Sequence, residues 1–326
     1  MTKRCWILCA GFLLAGIFLS SPVAAIPSDP KLEARISANE VVSSTAISLD
    51  GKIAGVMKGN NIGIWSIADA HQIQMIEFGV EQPVFCDFLD NGTHLLVGLS
   101  SGKIQLHDAQ TGKMLRLLDN GAPPWVVRVS RDGKWLAAAG GDREVHLWDR
   151  ATGKMAHRLA LELGGAMDLA FSPDGKMLAG SSEDTNIYVW DTDTGAVRNV
   201  VRDLSLTTFG LAFVPDGKWL FAGSGDYAIH VIDAGSGKVA RSFPAQKMPV
   251  IALAMAPDGK SVAAVYRDAN EPLGSTPILI WSTESGELMK KNDSKELKAN
   301  GGGFLSDGRL MYSTVSGKEL QVWSLR

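Results

Sequence analysis

Residues 171–195 read FSPDGKMLAGSSEDTNIYVWDTDTG, and variants of this pattern recur along the chain. A short apolar run ends in the turn sequence SPDG, a second apolar run follows, and IYVWD precedes another turn that ends in glycine. Asp-Gly pairs supply the positive φ that tight hairpin turns need. Short aliphatic and aromatic runs between turn residues are typical of β-strands. The stretch therefore predicts antiparallel strands joined by tight turns.

The same turn recurs along the chain at a regular interval. Seven short apolar runs end in Asp-Gly or Asn-Gly, and their glycines are 41, 41, 42, 42, 42 and 49 residues apart: Gly51, Gly92, Gly133, Gly175, Gly217, Gly259 and Gly308. A second marker, usually tryptophan, follows six of these glycines by 14 or 15 residues and one by 22: Trp65, His107, Trp148, Trp190, Ile232, Trp281 and Trp323. The longest interval contains an insertion at residues 267–277, which we interpret as an elongated hairpin. A repeat of about 40 to 45 residues is the signature of a four-stranded β-propeller blade.

With these motifs the chain resembles the WD-repeat family from about residue 32 to residue 326. The motif SPDGK, followed by a polar hairpin and then VWD or LWD, is best formed in residues 172–191 and 131–149. The resemblance implies an all-β, seven-bladed β-propeller with four-stranded antiparallel blades. The Gly-His pair that opens family repeats is missing, so the hairpin aspartates lack the histidine that the family provides: Asp142, Asp184 and Asp226.

The expected organisation is one propeller domain behind an export signal. Residues 1–25 combine a basic start, an uncharged apolar core and the small-residue site VAA, which are the three regions of a signal peptide. We expect cleavage after Ala25 and a periplasmic or secreted protein; an uncleaved anchor is the alternative. Residues 26–326 are predicted to form the propeller, with blades at about 41–80, 81–120, 121–161, 162–203, 204–245, 246–293 and 294–326.

The last repeat ends on its third strand and needs a fourth from elsewhere. Residues 32–38, LEARISA, alternate apolar and polar side chains as a half-buried strand does. We predict that residues 31–38 pair with the last blade and close the ring, which removes exposed sheet edges. A loose N-terminal tail is the alternative.

Composition and charge narrow the function. The 32 basic side chains less Lys3 and Arg4 leave 30 against 35 acidic ones, a formal charge of −5 after signal cleavage. This sign disfavours nucleic acid as a partner, because such binding depends on neutralising phosphates. One cysteine remains, Cys86, on a predicted inner strand, where we expect a buried structural role. We also expect no integral membrane segment after cleavage and a monomeric propeller.

Sequence motifs for catalysis lack the context that their chemistry needs. Residues 98–102, GLSSG, match the hydrolase pattern G-x-S-x-G, which requires a strand, a sharp turn and a helix. These serines lie instead in a predicted β-hairpin. No two histidines have the i, i+4 spacing of a helix-borne zinc site. We therefore predict no enzymatic activity, no cofactor and no metal.

The alternative is a propeller enzyme or enzyme subunit, either a quinoprotein-like oxidoreductase or a hydrolase, with its site in the central funnel. Residues 108–113, DAQTGK, and 149–154, DRATGK, also resemble repeats of quinone-dependent dehydrogenases. Those repeats place a tryptophan three residues after the lysine, where this chain has Arg116 and His157. They also usually form eight blades, so the non-catalytic interpretation is favoured.

WD-repeat propellers usually bind partners on the face with the loops between blades and the hairpins between second and third strands. The resemblance therefore implies a scaffold or protein-interaction module that binds a protein or peptide there. The residues that start the innermost strands should lie on this face, and we predict binding by Trp125, Met167, Phe209, Ile251 and Asn300. The first three belong to consecutive blades and should form one apolar arc, since aromatic residues are favoured interface anchors and methionine adapts to irregular partners. Packing between blades is the alternative for these three residues.

Overall fold

The computed structural model describes residues 31–37, 42–244, 246–267, 276–292, 299–316 and 319–325. The predicted signal peptide, its cleavage site and residues 268–275 of the insertion lie outside these ranges. The signal and the elongated hairpin therefore stay predictions. Within the described ranges, no helix has the length and apolar character needed to cross a membrane.

The first half of the ring consists of three four-stranded sheets. The strand β1 (Lys31–Ser37) precedes blade 1, which contains β2 (Val42–Ile47), β3 (Ile53–Lys58), β4 (Asn61–Ser66) and β5 (Gln72–Glu77). Blade 2 contains β6 (Pro83–Leu89), β7 (His94–Leu99), β8 (Lys103–Asp108) and β9 (Met114–Asp119), with a short 3-10 turn at Asp90–Gly92. Blade 3 contains β10 (Val126–Val129), β11 (Trp135–Ala139), β12 (Glu144–Asp149) and β13 (Met155–Ala160).

The second half has four sheets of the same kind. Blade 4 contains β14 (Ala166–Phe171), β15 (Met177–Ser182), β16 (Ile187–Asp191) and β17 (Val197–Val201). Blade 5 contains β18 (Thr208–Phe213), β19 (Trp219–Ser224), β20 (Ile229–Asp233) and β21 (Val239–Ser242). Blade 6 contains β22 (Val250–Met255), β23 (Ser261–Tyr266), β24 (Ile278–Ser282) and β25 (Leu288–Asn292). Blade 7 contains β26 (Ala299–Phe304), β27 (Leu310–Ser316) and β28 (Glu319–Leu325), and its fourth strand is β1.

The strands follow chain order across each of the first six sheets, and all neighbouring strands are antiparallel. First strands of successive blades contact one another, as β10 contacts β14, β14 contacts β18 and β18 contacts β22, so these strands surround the axis. The predicted seven-bladed propeller with four-stranded antiparallel blades is confirmed.

The N-terminal strand closes the ring, as predicted. It pairs antiparallel with β28, with Ala34 opposite Val322 and Ile36 opposite Leu320. Ala34 and Ile36 are buried in an apolar cluster that also contains Val56 of blade 1. The strand therefore completes blade 7 and packs that blade against blade 1.

The core is divided among the seven junctions between neighbouring blades, one apolar cluster to each junction. Alternation along each strand sends successive side chains to opposite neighbours. Val126 contributes to the cluster between blades 3 and 4, while Val127 contributes to the cluster between blades 2 and 3. Each sheet thus buries both faces, and a single blade has no core of its own.

Cys86 lies on β6 in the cluster between blades 1 and 2, where it is fully buried. Burial raises the pKa of its thiol, and the neighbouring Asp87 carboxylate raises it further. The thiol therefore stays protonated and packs as a small apolar side chain, which is the role that its strand position predicts.

Candidate functional site

The two ends of the ring carry different connections. Hairpins between first and second strands and between third and fourth strands lie at one end, which we call the turn end. Hairpins between second and third strands and the loops between blades lie at the other, which we call the loop end. At the turn end the repeated polar residues stabilise their own turns: the Ser172 hydroxyl and the Lys176 N–H both donate to Asp174 Oδ1, at 2.6 and 3.1 Å. The repeat motif therefore serves the fold.

Trp125 lies at the loop end, directly before β10. Its backbone N–H donates to the Ala139 carbonyl oxygen at 2.8 Å, and 37% of the residue is exposed. Its ring lies against two glycines: a Cβ on Gly141 would come within 3.0 Å of Cζ2, and a Cβ on Gly165 within 2.7 Å of Cζ3. Glycine at both positions therefore lets the indole rest on the blade 3 hairpin and on the loop into blade 4 while its remaining surface faces solvent.

The other predicted binding residues share one backbone feature, the extra residue of a β-bulge in the innermost strand. Strand pairing skips these positions, as between Ala166 and Asp168 in blade 4: Met167, Phe209, Ile251 and Asn300. A bulge re-aims a side chain and is common at rims and beside sites. The four residues therefore occupy equivalent places near the loop end of their strands.

Their side chains have different surroundings. Met167 and Phe209 are half-buried, and Ile251 packs against the cluster between blades 6 and 7. The side chain of Asn300 lies outside the described part of the structure. The structure thus places Trp125, Met167 and Phe209 on successive blades, while Ile251 contributes to a blade junction.

Three further exposed apolar residues lie at the same end and were missed in the sequence. Leu163 is 60% exposed and Leu206 is 50% exposed, in the loops into blades 4 and 5. Tyr227, in the β19–β20 hairpin, is 43% exposed. Phe209 and Leu206 both border Gly225 of that hairpin, since a Cβ on Gly225 would lie 3.4 Å from Phe209 Cε2 and 3.5 Å from Leu206 Cβ.

We call these residues of blades 3, 4 and 5 the apolar rim: Trp125, Leu163, Met167, Leu206, Phe209 and Tyr227. The repeat period was the available signal for the missed leucines, because Leu163 and Leu206 lie 43 residues apart in consecutive repeats. Among the described residues, the other exposed large apolar side chains lie outside the loop end of blades 3 to 5. Val80 is at the loop end in the loop into blade 2, and the rest are on outermost strands: Ile73, Met114, Leu115, Leu117, Val197, Leu288 and Met289.

The hairpins of blades 3, 4 and 5 also hold residues in the left-handed backbone region. Arg143, Thr185 and Tyr227 occupy equivalent positions and have φ of 63°, 72° and 78°. The equivalent position of blade 2 is Gly102, with φ of 85°. Glycine adopts this region without penalty, whereas other L-residues are disfavoured there by roughly 1–2 kcal/mol. Blades 3 to 5 therefore present side chains at a position whose backbone favours glycine.

The hairpin aspartates, which lack the family's histidine, find other partners in two blades. Asp184 accepts a hydrogen bond from the Tyr188 hydroxyl at 2.8 Å, and Asp226 lies 2.9 Å from His230 Nε2. In blade 3, His146 instead contacts Asn120 and Glu144. Oδ1 of Asp142 is left buried with no hydrogen-bond partner among the described residues.

The central channel is narrow, and its charged groups hold blades together. A cavity of about 120 Å³ lies between the inner strands of blades 2 to 6. Asp168 accepts hydrogen bonds from Arg128 Nη2 at 2.5 Å and from the Leu169 and Leu211 N–H groups at 2.8 Å, which joins blades 3, 4 and 5. Burial raises the pKa of Asp168, opposed by Arg128. Burial also raises the pKa of Asp87 to about 7, again opposed by Arg128.

The serine motif that resembles a hydrolase pattern has a structural place in the fold. Ser100 and Ser101 lie in the hairpin between β7 and β8, and the Ser101 hydroxyl donates to Glu81. Strand leads to strand there, so the helix required behind a nucleophilic serine is missing from this hairpin. Across the described ranges, no three His, Cys, Asp or Glu side chains are grouped closely enough to hold a metal ion.

A cavity of about 630 Å³ forms an open groove at the turn end between blades 4 and 5. Charged residues of both signs line it, among them Asp174, Arg198, Asp216 and Lys218. Asp174 and Asp216 accept backbone N–H groups of their own turns, and Arg198 pairs with Asp191. These groups are used within the turns, so the apolar rim is the stronger candidate site.

Comparison with known proteins agrees with this architecture. The family described as "WD domain, G-beta repeat" matches residues 115–149, 160–191 and 203–233, which include most of blades 3, 4 and 5. A Saccharomyces cerevisiae protein, "U3 small nucleolar RNA-associated protein 12", is 29% identical over 110 residues, covering 33% of this chain and 12% of that protein. A chain of the "Crystal Structure of Mitotic Checkpoint Complex" has a TM-score of 0.77 at 18% identity, over 95% of this chain and 98% of that chain.

Proposed function

We propose that this chain, a seven-bladed propeller that contains WD40 repeats, is an exported, non-catalytic module that binds a protein or peptide at the apolar rim. The observation that carries the proposal is the set of exposed Trp, Tyr and Leu side chains on three successive blades. Scattered exposed apolar residues are ordinary, whereas these recur at the same end of three neighbouring blades, as the residues of an interaction surface do. Trp and Tyr are also the residue types most enriched among binding hot spots.

The rim is held ready for binding by its supports. The Trp125 ring is fixed against the Gly141 and Gly165 backbones, and Phe209 lies beside Gly225. Side chains that are already ordered lose little conformational freedom on association, so such a surface binds more tightly than a flexible one. The similar chain of the mitotic checkpoint complex belongs to a multiprotein assembly, which supports a protein partner here.

The enzyme alternative has less support. A channel cavity of about 120 Å³ is smaller than the roughly 300–1,000 Å³ that drug-sized ligands or cofactors occupy. The carboxylate of Asp168 already accepts hydrogen bonds from Arg128, Leu169 and Leu211, which belong to three different blades. WD40 propellers generally act without catalysis, and export rests on the signal-like residues 1–25. Recovery outside the cytoplasm of a protein that begins at Ile26 tests the export part.

Affinity capture from the native cell envelope tests the binding part. We compare the wild type with Trp125→Ala plus Leu206→Ala, and we expect the double substitution to lose at least one partner that the wild type retains reproducibly. The matched control is Leu115→Ala plus Leu117→Ala on β9, which removes two similarly exposed apolar side chains from an outermost strand. If the rim variant keeps its normal melting temperature and every captured partner, the proposed site is wrong.

A further inference from the structure

The geometry points to a basic partner: we infer that the segment bound at the apolar rim carries Lys or Arg side chains around aromatic or aliphatic anchors. This inference rests on the proposed function and adds the chemistry of the partner. Two independent features of the loop end carry it, the sign of the charge around the rim and the aromatic groups within it.

The charge of blades 3 to 5 is strongly unequal between the two ends. The loop end carries a formal charge of −6 over the loops into blades 3, 4 and 5 and the hairpins between their second and third strands, each taken with its two flanking strand residues. These segments contain eight acidic and two basic residues: Asp119, Asp142, Glu144, Glu162, Glu183, Asp184, Asp203, Asp226, Arg143 and Arg202. The turn-end hairpins of the same three blades, taken with their flanking strand residues in the same way, contain seven acidic and seven basic residues, a formal charge of zero. The negative charge is therefore concentrated at the end of the ring where the apolar side chains are exposed.

Ion pairing leaves much of this negative charge available. Arg202, one of the two basic residues, pairs with Glu162 within the face. Five of the eight carboxylates make no ion pair with another described residue: Asp119, Asp142, Glu183, Asp184 and Asp203. Such carboxylates attract a cationic segment during encounter and repel an acidic one, which sets specificity and association rate.

The exposed aromatic side chains also favour a partner that carries Lys or Arg. Trp125 and Tyr227 are both part-exposed at this end. The face of an aromatic ring attracts Lys and Arg side chains, most strongly for tryptophan. Tyr227 is also held in a backbone conformation that disfavours a bulky residue. A strained exposed aromatic side chain at the same end of the ring as carboxylates without ion pairs suits the recognition of a cation.

Two fluorescent peptides test the inference on the mature protein. They share the same Leu and Trp positions, and the remaining positions are Lys in one and Glu in the other. We expect the Lys peptide to bind at least about tenfold more tightly at low salt and to lose affinity as salt rises. Equal binding of the two peptides, or no binding of the Lys peptide, overturns the inference.

Two matched pairs of charge-removing substitutions show at which end of the ring the Lys peptide binds. Asp119→Asn plus Asp203→Asn removes two negative charges at the loop end, and we expect the Lys peptide to bind roughly 3- to 10-fold more weakly. Asp132→Asn plus Asp216→Asn removes two negative charges at the turn end of blades 3 and 5, and we expect less than about a twofold change in affinity for the Lys peptide. An equal effect of the two pairs places the binding elsewhere and overturns the inference.

The two proposals fail separately. If captured partners depend on Trp125 and Leu206 but the charge variants bind normally, the site stands and the basic chemistry is wrong. If the peptides behave as expected while every captured partner ignores the rim variant, the proposed function is wrong.

Discussion

Asp87 illustrates how one buried carboxyl group ties stability to pH. Its side chain lies in the channel, where burial raises the pKa from 3.8 to about 7. Between these values the folded protein keeps a proton that the unfolded chain has released, so the contribution of Asp87 to the free energy of unfolding falls as pH rises through this window. Above pH 7 the charged group destabilises the fold by at most about 4 kcal/mol.

Asp87→Asn should therefore stabilise the protein at pH 8 and have little effect near pH 4. Asparagine has almost the same shape and keeps an oxygen that can accept the Phe88 N–H, so the substitution removes the charge and little else. Urea unfolding of both proteins at several pH values measures the difference. A difference in unfolding free energy between the two proteins that stays constant from pH 4 to pH 8 contradicts the raised pKa of Asp87.

Tyr227 separates a binding role from a structural one. Tyr227→Gly relieves about 1–2 kcal/mol of backbone strain, offset by about 0.4–1 kcal/mol for the more flexible unfolded chain. We expect a protein that is as stable as the wild type or slightly more stable and that binds the Lys peptide several-fold more weakly. Thr185→Gly makes the same backbone change without removing an aromatic ring, so its binding should be normal. Melting temperature and fluorescence anisotropy give the two readouts, and normal peptide binding by Tyr227→Gly contradicts the role.

At the scale of strands and turns, a structural feature could be predicted from the sequence when its cause lies in the residue itself. Gly133, Gly175 and Gly217 all have φ near 70°, as their Asp-Gly turns predict, because a positive φ is a property of the residue itself. The bulges at Met167 and Phe209 are irregularities in the register between two paired strands, which no local sequence pattern records.

The candidate site likewise contains residues that the sequence predicts and residues that it does not. Trp125 could be predicted from its place at the start of an inner strand, and its exposure agrees with that position. Tyr227 could not, because its left-handed hairpin position carries no glycine to mark it. Leu163 and Leu206 have only the repeat period to mark them in the sequence, and the structure adds their exposure and the place of Leu206 and Phe209 next to Gly225.

At the scale of the molecule, every blade depends on its neighbours. The seven apolar clusters lie between blades, so an open array would leave two sheet faces without a partner. The β1–β28 pairing removes those ends by joining residues almost the full length of the chain apart. Cooperative unfolding of the whole ring should follow, because loss of this pairing exposes the clusters on both sides of blade 7.

A disulfide across the closure tests this dependence. Arg35 lies opposite Gln321, and Arg35→Cys plus Gln321→Cys should form a bond that encloses nearly the whole propeller. Cross-linking so long a loop stabilises by roughly 5 kcal/mol in the chain-entropy description, so the oxidised protein should unfold at a clearly higher urea concentration than the reduced one. Lys31→Cys plus Gln321→Cys is the mismatched control, because Lys31 lies opposite Ser324 instead. Cross-linking of the mismatched pair as readily as the matched pair would show that β1 does not hold this register in solution, and the closed ring would then lose its main support.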